Sequence, residues 1–180
     1  MTHALPDECK VEMPERSSVV TPYCLGHGTL ECRSLKDSRR FYEEFLGLEC
    51  VRHAKPAIAI RLGMRFHIIA VEVGDNVHPC NVLNHWGLDV ASKAEVDAAH
   101  KSANQNMEKY KIRQVLPVQN MHGVYSFYLE DLDHNWWEIQ YYENGFQHDD
   151  LFDYGDRFSM DDGADVGALE ELKIKSATAA

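Results

Sequence analysis

Apolar and polar positions show no period until Tyr23. Residues 1–22 mix charged side chains with Pro6, Pro14 and Pro22, a pattern that predicts a flexible arm. From there the chain alternates. His27, Thr29 and Glu31 fall on one side of an extended segment, and Gly28, Leu30 and Cys32 on the other. A strand with one polar and one apolar face is the expected result. The pattern returns 58 residues later, where His85-Trp-Gly-Leu-Asp-Val-Ala-Ser aligns without gaps on His27-Gly-Thr-Leu-Glu-Cys-Arg-Ser. His27 matches His85, Leu30 matches Leu88, Glu31 matches Asp89 and Ser34 matches Ser92. An internal repeat of this kind dictates architecture.

Each strand runs into a helix. Ser92-Lys-Ala-Glu95 is a capping box, and Ser34-Leu-Lys-Asp37 is a weaker version. The first helix is expected to run to about Leu46 and stop at Gly47, with Leu35, Phe41, Tyr42 and Phe45 facing inward. The second is expected over 93–106, with Val96, Ala99 and Ala103 inward. Three short strands follow each helix, at 48–52, 57–62 and 66–73, and again at 112–118, 124–130 and 136–142. Residues 74–84 connect the copies, and Pro79 excludes a central strand there. The unit is βαβββ, twice, over 23–74 and 83–143.

Composition narrows the options. A 44% hydrophobic content suffices for a packed core, and the longest apolar run is about four residues, 68–71, which excludes a membrane-spanning helix. A net charge of −11 disfavours nucleic acid and anionic membrane as partners. Nine acids against three bases over 144–180 predict a solvated acidic tail. Cys9, Cys24, Cys32, Cys50 and Cys80 are odd in number and form no CxxC pair, which predicts reduced thiols and a cytoplasmic setting.

Among ten histidines, only two open a repeat. His27 and His85 both lie on the polar side of their strands. Glu138 sits between Trp137 and Ile139 in the last strand, where a carboxylate is expensive to bury without a partner. Two imidazoles and one carboxylate on one concave surface form a facial triad, which holds a divalent metal and leaves positions open for substrate.

The paired units, these three residues and the hairpin Ser126-Phe-Tyr-Leu-Glu-Asp-Leu-Asp-His-Asn-Trp-Trp-Glu138 resemble the vicinal oxygen chelate superfamily over about 23–143. That group holds glyoxalase I, the fosfomycin- and bleomycin-resistance proteins and type I extradiol dioxygenases. The resemblance implies an α+β fold in which the two modules form a cup-shaped, eight-stranded mixed sheet with helices outside. Its members pair the modules either within one chain or between two, and a homodimer is expected. The family's Asp-Pro-x-Gly turn is replaced here by Asp131-Leu132-Asp133-His134.

The resemblance also implies an enzyme of the dioxygenase type, with His27, His85 and Glu138 binding Fe(II), or else Mn(II), Ni(II) or Zn(II). Its substrate would be a small catechol-like molecule with O2. The alternatives are a Lewis-acid isomerase, lyase or transferase like glyoxalase I or the fosfomycin-resistance proteins, and a metal-free sequestering protein of the bleomycin-resistance type. Tyr128, ten residues before Glu138, and His122 are the candidate proton donors. His134 is a further loop histidine. Arg61 and His67 are candidate substrate contacts, and His67 or Glu72 could supply a fourth ligand.

Overall fold

The computed structural model describes residues 19–20, 25–63, 66–121, 123–145 and 147. The expected arm, His122 and all but the start of the acidic tail lie outside them. The chain divides into two compact units, 1–78 and 79–180, with the boundary inside the predicted connector.

The first unit is one βαβββ module. It comprises β1 (His27–Cys32), α1 (Leu35–Arg40), β2 (Glu49–Ala54), β3 (Ala57–Arg61) and β4 (His67–Glu72). The sheet order is β1-β4-β3-β2. β1 and β4 are parallel, and the other pairs are antiparallel. The alternation read in β1 holds: Leu30 and Cys32 are buried, and His27 and Thr29 are exposed. Ile58, Ile60, Ile68, Ala70 and Cys50 extend the apolar face, and Leu35, Phe41 and Tyr42 bring the helix side of the core. Beyond α1 the turn widens at Phe41–Phe45, with Leu46 N–H donating to the Phe41 carbonyl at 3.2 Å. Gly47 then ends it at φ 72°, a conformation that costs a glycine little.

The second unit comprises β5 (His85–Asp89), α2 (Lys93–Gln105), α3 (Met107–Tyr110), β6 (Gln114–Val115), β7 (Gln119–Met121), β8 (Val124–Glu130) and β9 (Trp136–Tyr142). Its order is β5-β9-β8-β6, with β7 also on β8. The capping box forms: Ser92 Oγ accepts from Glu95 N–H at 3.2 Å, and Glu95 Oε2 accepts from Ala91 N–H at 2.7 Å. Phe127, Leu129, Trp137, Val96 and Ala103 are fully buried on the helix side.

The fold is α+β as expected, with the two modules forming mixed sheets of four and five strands among the described residues, one short strand more than the eight expected. The strand expected at 112–118 is reduced to β6, Gln114–Val115, ahead of Pro117, which has no N–H to give to a ladder, and β7 forms beyond it where a turn was expected. No described helix is long and apolar enough to cross a membrane.

Candidate metal centre

Register assembles half of the expected site in the second unit. β5 and β9 are parallel, with His85 opposite Trp136 and Gly87 opposite Glu138. β8 and β9 are antiparallel, with Tyr128 opposite Glu138 and Ser126 opposite Gln140. Because side chains alternate, His85, Glu138, Tyr128 and Ser126 share the sheet face turned away from α2.

There His85 Nε2 stands 3.2 Å from Glu138 Oε2. His85 Nδ1 lies 2.7 Å from the Val82 carbonyl. A carbonyl only accepts, so Nδ1 carries a proton and Nε2 presents its lone pair to the carboxylate. Two lone-pair donors facing at this distance require a cation, either a proton or a metal ion. With a proton there, hydrogen bonding to Glu138 raises the His85 pKa, although burial opposes it. An ion about 2.1 Å from both atoms, as for Zn–N and Zn–O bonds, would subtend roughly 100°. That angle lies between octahedral and tetrahedral, so the pair fits a divalent ion. A ligating histidine whose other nitrogen donates to a backbone carbonyl has the usual outer support.

Glu138 is 8% exposed. Burial alone would raise its pKa, but hydrogen bonds from His85, Ser126 and Tyr128 outweigh it and hold the carboxyl below its ordinary value. Burial first, and the Glu138 charge second, push the Tyr128 phenol upward. Tyr128 packs with Val82, Trp136 and Leu116, and meets the His85 ring edge-on at 5.0 Å.

The hairpin that delivers Glu138 is pinned by Asp131, which sequence reasoning left without a role. Its fully buried carboxylate accepts from Asp133 N–H (2.8 Å), Asn135 N–H (2.9 Å) and Trp137 Nε1 (3.1 Å). Burial still pushes its pKa up to about 7. The available signal was the aspartate kept at the start of an otherwise altered turn. His134 adopts φ 67° in this turn, and its Nδ1 meets Glu130 Oε1 at 2.6 Å.

In the first unit His27 opens β1 opposite His67, and the two rings stack at 5.6 Å and 23°. The register also locates the counterpart of Glu138. Two residues past the His27–His67 pair, Thr29 lies opposite Ile69, so Ile69 stands where the second unit has its carboxylate. Glu72 cannot be a fourth ligand beside His27, which corrects that expectation. It belongs to the helix-facing set of β4, and its Oε2 accepts from Leu35 N–H at 2.8 Å, capping α1. Arg61 is exposed and clasped by Glu49 through bonds of 2.7 and 3.1 Å. These two residues, with Val51, Ala59 and His67, line an open depression on the first sheet.

The structure thus brings His85, Glu138, Tyr128 and Ser126 together, and places His27 in the other unit. Among the described residues no three His, Cys, Asp or Glu side chains cluster as a ligand set.

No family model matches the sequence, and no curated protein matches it significantly. Solved structures do match the fold. The genomically encoded fosfomycin resistance protein FosX of Listeria monocytogenes is 20% identical, with a TM-score of 0.54, covering 71% of this chain and 98% of its own. A lactoylglutathione lyase of Agrobacterium tumefaciens is 22% identical, with a TM-score of 0.51 and coverage of 71% and 100%. A possible glyoxalase of Bacillus cereus is 23% identical, with a TM-score of 0.51 and coverage of 64% and 96%.

Proposed function

The chain has the α+β fold of the vicinal oxygen chelate superfamily, and from that premise we propose that it is a divalent-metal-dependent enzyme acting on a small molecule with two adjacent oxygens. His27, His85 and Glu138 are the ligands. The observation that carries this reading is the His85–Glu138 pair, two donors held 3.2 Å apart by Val82, Ser126 and Tyr128.

A bound divalent ion supplies positive charge that polarises substrate oxygens. The chain's own groups do the rest. The Val82 carbonyl fixes the His85 tautomer. Ser126 and Tyr128 hold Glu138 ionised and oriented. The Tyr128 phenol keeps its proton at neutral pH, so it serves a substrate oxygen as a hydrogen-bond or proton donor and not as a base.

The reaction placed first is oxygen-dependent cleavage of a catechol-like ring with Fe(II). Three protein ligands leave room for a bidentate substrate and O2. Ile69, at the register position matching Glu138, offers no ligand atom. The second reading is Lewis-acid chemistry without redox change, favoured by the fold likeness to FosX and to the lactoylglutathione lyase.

Metal content decides between them when measured on protein purified without chelator or air. About one iron per chain, lost in His27→Ala and Glu138→Ala, together with O2 uptake on a catechol panel, is the expected result. Turnover with manganese, nickel or zinc in the absence of oxygen would select the second reading. Full metal content in Glu138→Ala would refute the triad.

A further inference from the structure

His67 remained open as a fourth ligand or a substrate contact, and its geometry allows a sharper statement. β1 and β4 are parallel and in register at His27 and His67, so the two side chains leave the same sheet face side by side. Their rings lie 5.6 Å apart at 23°, a stacked arrangement. Two nitrogens on one ion stand at most about 4.2 Å apart, twice a Zn–N bond. In nearly parallel rings corresponding nitrogens are separated about as the centroids are, so like nitrogens of the two rings lie beyond that limit in this arrangement. The second unit repeats the placement, with aromatic Trp136 directly across from His85.

We propose that His67 is a positioning residue, whose imidazole stacks on His27 and holds that ring ready for metal without ligating it. This rests on the metal-site reading above. Stacking restricts the rotation of the His27 side chain, and His27 is exposed at the first residue of its strand, where the strand constrains it least. A ring held before binding loses less freedom on ligation. What the role requires of residue 67 is a flat ring, not a nitrogen.

His67→Phe and His67→Ala separate the possibilities. Cobalt(II) affinity, followed by the ligand-field absorption of the ion, should fall about tenfold in His67→Ala, the loss typical for an outer-shell partner. In His67→Phe it should stay close to wild type. Equal weakening in both variants would make His67 a ligand and overturn the proposal, as would wild-type affinity in His67→Ala.

A second readout does not depend on metal. In metal-free protein the His27 ring 1H signals should be displaced from free-imidazole positions by the ring current of residue 67 in wild type and His67→Phe, and move to them in His67→Ala. Unmoved signals in His67→Ala would refute positioning. If the wild type bound no cobalt, the metal reading would fall, and the ring signals would still decide whether His67 orders His27.

Discussion

Asp131 shows how one buried side chain can organise the turn around it. Two of its three shortest hydrogen bonds close the turn on itself, and the third ties it to Trp137 in β9. Asp131→Asn puts an amide donor where an acceptor faces other donors, and should cost about 1–3 kcal/mol in chemical denaturation. The pH dependence has a definite sign. Its folded pKa, about 7, lies above the ordinary 3.8, so the folded chain binds the extra proton between those values. The stability this contributes is fully present below about pH 4 and is lost as pH rises towards 7. Denaturation midpoints of wild type minus Asp131→Asn, taken from pH 4 to 8, should show that fall. The thiols give a second test at this scale. Cys50 is buried and its pKa is pushed up to about 12 by burial, whereas Cys80 is exposed. Iodoacetamide on the folded protein should label Cys80 and spare Cys32 and Cys50, as read by peptide mapping.

At the scale of elements, period and caps were legible. The alternation in β1, the Ser92–Glu95 box and the stop at Gly47 all involve residues within a few positions of one another. What the pattern missed comes from distant residues. Glu72 is a candidate ligand only through the resemblance, because glyoxalase I carries one on the last strand of its first unit. In space it caps α1 from 37 residues away. Glu72→Ala should lower stability by about 1 kcal/mol, the cost of a lost N-terminal acceptor, without changing metal content. A fall in metal content would restore the ligand reading. The early end of the strand expected at 112–118 is readable from proline's missing donor at Pro117, and the pattern of apolar residues hides it.

For the whole molecule, each unit carries its own sheet, helix and core, so the repeat is structural as well as textual. A ligand that binds only the folded chain stabilises it by mass action, about 2.7 kcal/mol at a hundredfold excess over Kd. Divalent metal should therefore raise the Tm of the wild type, and leave His85→Ala and Glu138→Ala unshifted in a thermal melt. An equal rise in both variants would place the ion elsewhere. The βαβββ repeat, the helix caps and the choice of His27, His85 and Glu138 as candidates follow from the order of residues alone, because they rest on local periodicity and on side-chain chemistry. That His85 and Glu138 meet with Val82, Ser126 and Tyr128 around them, that Ile69 holds the position matching Glu138, and that His67 stacks on His27 emerge only once the chain is folded. The reason is register: a strand's own pattern says which face a side chain takes, and the pairing between strands distant in sequence says what it faces.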